Sequence, residues 1–476
     1  MRQSSISIQY GKTAYLDNVS RHGLLASVYQ FAHRIGLFEG WDEMPLKMKT
    51  VTYRPLDKLK TLLASIIIGC EHTCDINTEL GAHERALSRM FGLQRFPDQS
   101  QVSRLLKRSD QEVVEWFRGV HFQMLCQLTR SRKRSLWQRL ANGRRSLMAD
   151  LDQRGIVVSG KQFELAERGY FGRHRGHTGY QLSLLFLGGE IGEVIDEHLD
   201  PGNIYLRFRL EEMVKRLAEF CERQRIAPSQ VTLRGDAELG TPATIAVVES
   251  YGFNYLFKGI SAQKAKKLAA EVKDYYLLAK PDSEGGARWT ADLGSRRHAD
   301  QSAEGDGHEV ECRTIVMTSI EPARRARQTK HHGKKRAAAE EAKRWVRSDY
   351  FLTNLRAEEV PTERVLDLYD ERETIESYFH DERHALGAQH VRTWSHAGSQ
   401  LFQLLVATVN NLLRWYRHEV LKGTEFEEYG LKRIIGQLMQ IGARLTKHGR
   451  RWLVEVPQRH AQAMKLLRQW QHCASP

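Results

Sequence analysis

The sequence predicts an α/β protein in which a mixed-sheet domain with an inserted antiparallel β domain lies between helical regions. Apolar strand-sized runs, then alternating helical and strand-like segments, fill residues 146–260 and are typical of an α/β sheet domain. Short alternating runs with Gly-rich turns fill residues 261–362 and indicate the inserted sheet. On both sides, apolar residues three and four apart predict helices.

Residues 1–145 are predicted to form an all-α DNA-binding domain, with helices in LDKLKTLLASIIIGCEHTC and QEVVEWFRGVHFQMLCQL. The stretch HERALSRMFGLQRFPDQSQVSRLLKR contains two short helical segments, and Asp98 or Ser100 can cap the second. This layout fits a helix-turn-helix, although a plain helical hairpin gives the same pattern. The residues predicted on the DNA-reading helix are Gln99, Gln101, Ser103, Arg104 and Lys107.

The basic stretch SRKRSLWQRLANGRR ends at the predicted boundary before residue 146. Strands are then predicted in LMADLDQ, in GIVVSGKQFEL and in YQLSLLFLGGEIGEVIDEHLD. A helix in YLRFRLEEMVKRLAEFCERQ, a strand in VTLRGDAEL, a helix in TPATIAVVESYG and a strand in NYLFKGI follow. Such alternation predicts a sheet covered by helices.

Net charge indicates the class of partner. The formal charge of +14 and the pI of about 9.4 favour a polyanion such as nucleic acid, although ribosome-associated and peripheral membrane proteins share this property. Within the insertion, ARRARQTKHHGKKRAAAEEAKRWVR carries ten Lys and Arg and two acidic residues. We therefore expect Lys334, Lys335 and Arg336 to contact the DNA backbone without base specificity, the alternative being a solvated charged face.

The sequence also indicates the cellular compartment of the protein and the role of two of its cysteines. No stretch approaches the roughly 18 apolar residues of a membrane span, and the first residues lack the layout of a signal peptide, so we expect a cytoplasmic protein. Cys70 and Cys74 flank His72 and could belong to a zinc site. Because no second Cys or His pair stands nearby at finger spacing, we interpret both as buried thiols.

Acidic residues occupy positions from which they could converge. Asp150 and Asp152 alternate on one strand and point to the same side. Asp236 ends the strand in VTLRGDAEL, and Glu376 is predicted to share one helix face with Tyr369, Arg372 and Arg383. Carboxylates on separate elements suit phosphodiester chemistry with two hard cations. An isolated Asp at a strand end is, however, often only a turn residue.

A four-position motif connects these residues to a known family. Tyr369-x2-Arg372-x3-Glu376-x6-Arg383 resembles the Y-(2)-R-(3)-E-(6)-K signature of a large group of bacterial insertion-sequence transposases of the DDE class. The RGD ending at Asp236 and the ADLD ending at Asp152 resemble that group's two aspartate motifs. Segments on both sides of these motifs, FPDQSQVSRLLKR and LGAQHVRTWSHAGSQLFQLLVATVNNLLRW, are similar to its N-terminal and C-terminal regions.

The resemblance implies an RNase H-like catalytic core in two parts, 146–260 and 363–420, separated by the β insertion and followed by a helical region over 421–476. It implies DNA cleavage at transposon ends and strand transfer, with two Mg²⁺ ions, or Mn²⁺ in their place. Asp152 or Asp150, Asp236 and Glu376 would be catalytic, and Asp152, Asp236 and Glu376 would bind metal. Tyr369, Arg372 and Arg383 would contact DNA.

At two places the sequence departs from the family's motifs, and alternative assignments of the first aspartate and of the function therefore stay open. Arg383 replaces the Lys of the signature, and Arg154 and Gly155 stand where a Thr or Ser usually follows the first acid. The choice between Asp152 and Asp150 therefore stays open, with Asp152 preferred. The family implies terminal inverted repeats and target DNA as partners, a homodimer on DNA, and a nucleoid location. The alternatives are a non-catalytic DNA-binding derivative and an RNase H-like nuclease.

Overall fold

The computed structural model describes residues 6–11, 19–48, 52–81, 84–130, 136–172, 176–279, 287–300, 307–321, 345–449 and 451–457. The predicted DNA contacts of the basic segment, Lys334, Lys335 and Arg336, lie outside these residues. The helices are α1 (Leu25–Arg34), α2 (Pro55–Ile67), α3 (Asp75–Glu79), α4 (Arg85–Met90), α5 (Gln99–Arg108), α6 (Gln111–Arg130), α7 (Leu210–Gln224), α8 (Pro242–Ser250), α9 (Ala262–Ala270), α10 (Thr362–Asp370), α11 (Glu373–His384), α12 (His396–Val420) and α13 (Leu431–Arg433).

The strands are β1 (Ile6–Gly11), β2 (Val19–Ser20), β3 (Trp137–Arg139), β4 (Arg145–Val157), β5 (Glu167–Arg168), β6 (Thr178–Leu187), β7 (Glu193–Pro201), β8 (Val231–Gly240), β9 (Asn254–Gly259), β10 (Tyr276–Ala279), β11 (Ala287–Ala299), β12 (Glu309–Glu321), β13 (Trp345–Thr353), β14 (Ala443–His448) and β15 (Arg451–Pro457). In the described part of the chain they form one sheet of eleven strands and one of four.

The large sheet is mixed, and β4 lies near its middle. One side of β4 carries antiparallel β6, which pairs in turn with β7. The other side carries β8 and then β9, both parallel to their neighbours. The carboxyl ends of β4, β8 and β9 therefore meet at one edge of the sheet. Ligand sites of α/β sheets form preferentially at such an edge.

Helix α12 is the central helix of the core. Its side chains are buried without interruption from Gly398 to Tyr416, and buried polar side chains among them, such as Gln400 and Asn411, accept hydrogen bonds from the backbone of β7, as buried polar groups require. It packs on β7 and on helices α2, α5 and α6. The helix thereby joins the N-terminal helices to the sheet in one continuous hydrophobic core.

The prediction of exclusively helical N-terminal and C-terminal regions was wrong. Strand β1 pairs in parallel with β15, and β2 pairs with β14, so the two ends of the described chain form the four-stranded sheet together. Strand β3 joins the large sheet beside β4. Long-range pairing decides these short strands, because their own apolar patterns are too short to distinguish strand from helix.

The inserted strands also differ from the prediction of a separate β domain. Strands β10 to β13 are antiparallel as expected, but β13 pairs with β9 and extends the large sheet. The strand predicted in GIVVSGKQFEL is absent as a unit, because β4 continues through Val157 and residues 158–166 follow without strand structure. None of the described helices is both long enough and apolar enough to span a bilayer.

Candidate functional site

Asp152 and Asp236 lie side by side just beyond the point where the parallel strands β4 and β8 stop pairing, although β4 continues to Val157 and β8 to Gly240. Strands β4 and β8 pair in register as far as Leu151 and Gly235, so the next residue on each strand is an aspartate. Neighbouring strands are about 4.8 Å apart. The β8–β9 register shifts after Gly235, and the half-buried Asp236 accepts a hydrogen bond from the Glu238 amide at 3.0 Å.

Asp150 is on the same strand face but is fully engaged elsewhere. Both of its oxygens accept hydrogen bonds from Arg234, at 2.7 and 2.9 Å, and both side chains are completely buried. The same guanidinium donates to the Leu368 carbonyl at 2.6 Å. The ion pair therefore ties β4 and β8 to the end of α10 and leaves Asp150 shielded from solvent.

Asp152 faces a different arginine. Its Oδ2 accepts a hydrogen bond from Arg372 at 2.8 Å, and its Oδ1 accepts one from the Gln153 amide at 2.8 Å. Burial raises the pKa of Asp152 to about 6; the negative charge of Asp236 acts in the same direction, and Arg372 opposes the shift. Because the negative charges of adjacent carboxylates repel each other, a bound cation would stabilise both charges, and the pair therefore suits a metal ion.

The signature residues do not share one helix, contrary to prediction. Tyr369 belongs to α10, the chain turns at Glu371, and Arg372 is the N-cap of α11. The Tyr369 ring packs on Phe351 at 4.8 Å, and Arg372 lies 5.6 Å from the centre of the tyrosine ring. Burial raises the pKa of Tyr369 to about 12. The turn directs Arg372 toward Asp152, which a straight helix would not ensure.

Glu376 and Arg383 lie in the first and last turns of α11, and both are exposed. Helix α11 packs on β4, so Glu376 is on the element next to Asp152. Among the described residues, however, the ligand atoms of Asp152, Asp236 and Glu376 do not all lie within 4.8 Å of one another. The structure thus brings the two aspartates together and does not bring the glutamate into one compact group of ligand atoms with them.

Sequence reasoning missed the role of Arg154 and its partner Glu382. Arg154 Nε donates a hydrogen bond of 2.9 Å to Glu382, a second pair of charged atoms approaches to 2.8 Å, and both side chains are buried. The pair connects β4 to α11, two residues after Asp152 and six after Glu376. In the sequence, Arg154 stands out only as a departure from the family motif. Its acidic partner is distant in sequence, so no local signal identified the pair.

The predicted DNA-reading helix corresponds to α5. Of the two predicted caps, Asp98 is the N-cap and accepts hydrogen bonds from the Ser100 and Gln101 amides. Arg104 and Lys107 are exposed, and Lys107 lies 5.0 Å from the ring centre of the exposed Trp394. The remaining predicted reading residues are half-buried: Gln99, Gln101 and Ser103.

Comparison with known families agrees with this geometry. The family described as "Transposase DDE domain group 1" matches residues 19–473, which is nearly the whole chain. No curated protein matches the chain. A mixed α/β architecture with adjacent aspartates just beyond the β4–β8 ladder fits such a domain. The match covers both aspartate motifs and the glutamate signature, and the chain therefore belongs to the DDE transposases of insertion sequences.

Proposed function

We propose that this transposase cleaves DNA at the ends of its element and transfers the freed strands, with Asp152, Asp236 and Glu376 as its catalytic carboxylates. The observation that carries the proposal is the adjacency of Asp152 and Asp236 at the end of the β4–β8 ladder. The β7-β6-β4-β8-β9 part of the sheet would be the RNase H-like core.

The donor set fits a divalent metal. Carboxylate oxygens are hard ligands suited to Mg²⁺ or Mn²⁺, and Asp236 disfavours the charge of Asp152 until a cation compensates it. Asp150 does not suit this role, because Arg234 already holds both of its oxygens. The chemistry that bound Mg²⁺ supplies is activation of the attacking oxygen and stabilisation of the leaving oxygen.

Arg372 would have two roles in this site. In the structure it neutralises Asp152, and Tyr369 and Asp152 hold its guanidinium in place. Once a cation compensates the carboxylates, the guanidinium can donate to a DNA phosphate, since its planar fork matches phosphate oxygens. Exposed Arg383 would contact the backbone farther along α11.

Recognition of the element's ends is assigned to α5, because Arg104 and Lys107 are exposed on it. Backbone contacts of Lys334, Lys335 and Arg336 remain a prediction from the basic insertion, and so does a homodimer that holds both ends together. Contacts of this kind neutralise phosphates and make binding fall steeply with salt.

Cleavage and strand transfer should be assayed on a duplex that carries the DNA flanking the coding sequence, with Mg²⁺ or Mn²⁺. Asp236→Ala and Glu376→Ala are expected to lose both reactions and to retain DNA binding. Glu373→Gln is the matched control, because Glu373 is also exposed in the first turn of α11.

The outcomes separate the candidate functions. Binding without cleavage in either metal would indicate a non-catalytic DNA-binding derivative. Cleavage without joined products would indicate a nuclease. Full activity of Glu376→Ala would remove the glutamate from the proposed site.

A further inference from the structure

Two segments that are far apart in sequence pack tightly on the side of the N-terminal helices. The Arg392 guanidinium donates to the Cys70 carbonyl, and a Cβ on Gly387 would lie 3.2 Å from that carbonyl oxygen. Gly387 has a positive φ of 66°, which favours glycine. The chain after α11 is therefore held against the chain between α2 and α3.

This packing brings together three metal-ligating side chains: Glu71, His72 and His390. One ligand atom from each lies within 4.8 Å of the other two. The imidazole rings of His72 and His390 are 4.4 Å apart between centres, and His390 Nε2 is 3.7 Å from a Glu71 oxygen. Glu71 and His72 are exposed and His390 is half-buried, so the group is open to solvent.

We propose that Glu71, His72 and His390 bind a divalent transition-metal ion of the Zn²⁺ class. Two imidazoles and one carboxylate suit Zn²⁺, Co²⁺ or Ni²⁺ and do not suit Mg²⁺, which prefers oxygen ligands. Three protein ligands leave the fourth tetrahedral position to water. The site is separate from the Asp152–Asp236 pair, and nothing in its argument depends on the proposed reaction.

The neighbouring groups define how the ion would be held. His390 Nε2 also lies 3.1 Å from the side-chain nitrogen of exposed Gln389, which an ion bound at that atom would displace. Asp75 accepts a hydrogen bond from the His72 amide at 2.7 Å and orients that residue's backbone. Cys74, which was predicted to be buried, is exposed, and its Sγ lies 3.5 Å from an Asp75 oxygen.

The ion would act as a clamp between the two segments. Glu71 and His72 precede α3, and His390 follows the helix that carries Glu376. A metal that binds only the folded chain stabilises it by mass action. We therefore expect Zn²⁺ to raise the thermal unfolding midpoint.

The test uses the full chain without a polyhistidine tag, titrated with Zn²⁺ against a chromophoric chelator and by thermal unfolding. His72→Ala and His390→Ala are expected to weaken Zn²⁺ binding by about tenfold or more and to abolish the rise in midpoint. Mg²⁺ should produce no rise that depends on either histidine.

His384→Ala is the matched control. His380 and His384 form another histidine pair, with ring centres 4.7 Å apart on α11, and this pair lacks a third ligand among the described residues. The His384→Ala substitution should therefore leave the affinity for Zn²⁺ unchanged. The proposal would be overturned if both His72→Ala and His390→Ala bind Zn²⁺ as tightly as the wild type. It would also be overturned if His384→Ala is the variant that loses Zn²⁺ binding. If the histidine variants do not fold, Glu71→Gln decides, since unaltered Zn²⁺ binding there contradicts a three-ligand site.

Discussion

Arg372 donates a hydrogen bond of 2.8 Å to Asp152, and the two side chains reach each other from different layers of the fold. Asp152 directly follows the last residue of β4 that pairs with β8, whereas Arg372 is the N-cap residue of α11. The contact places one of the two arginines of the signature directly on one of the two adjacent aspartates. This one hydrogen bond therefore links the position of α11 to the charge of Asp152, which belongs to the proposed cleavage site.

Replacing Arg372 by Ala should impair catalysis much more than folding. The loss of the guanidinium removes a group that favours the charged form of Asp152 and a donor for phosphate, so cleavage should fall by about 100-fold. Single-turnover cleavage rates and a urea melt measure the two effects. Arg364→Ala, at an exposed arginine on α10 paired with Asp367, is the control. Equal losses in both variants would contradict the assigned role.

Asp152→Asn should stabilise the metal-free protein more at pH 8 than at pH 5. Folding raises the pKa of Asp152 to about 6 from 3.8, so the folded state holds the proton more tightly. The stability from this group is complete below the unfolded pKa and is lost as pH rises through about 6. The increase in unfolding free energy of Asp152→Asn over the wild type should therefore be about 1 kcal/mol larger at pH 8 than at pH 5.

Urea unfolding at both pH values, without divalent metal, measures this difference. Asp300→Asn provides a comparison, because Asp300 is outside the site and only partly exposed. A gain that is the same at pH 5 and pH 8 would show that Asp152 is not shielded as the structure indicates.

Asp150→Asn should be mainly a folding variant. It leaves the fully buried Arg234 without its carboxylate partner, and breaking a buried pair in this way costs about 3–5 kcal/mol. Chemical denaturation measures the loss. Cleavage per folded molecule should persist, in contrast to Asp152→Asn. A stable but inactive Asp150→Asn would instead favour Asp150 as the first catalytic aspartate.

Arg154→Met should destabilise the protein by about 3–5 kcal/mol because Glu382 would lose its buried partner. Burial and the nearby charge of Glu382 already raise the pKa of Glu197, so the variant leaves two buried acids close together. The double variant Arg154→Met with Glu382→Met should recover much of the loss. A double-mutant cycle in urea tests this coupling. Additive losses would show that the pair does not hold α11 on β4.

The sequence by itself determined the elements whose local pattern is strong. Strand β8, helices α7, α8 and α12, and the Asp98 cap of α5 agree with it, because hydrophobic periodicity and capping act within a few residues. The four-position signature likewise indicated the family, and the match over residues 19–473 bears this out.

Tertiary structure decided what depends on partners distant in sequence. Asp150 and Asp152 share one strand face, so their different partners distinguish them, Arg234 for Asp150 and Arg372 for Asp152. The contact of Arg372 with Asp152, the pairing of β1 with β15 and the meeting of His72 with His390 also depend on distant segments. Burial, charge pairing and strand register arise only when distant segments pack together, so local sequence patterns do not predict them.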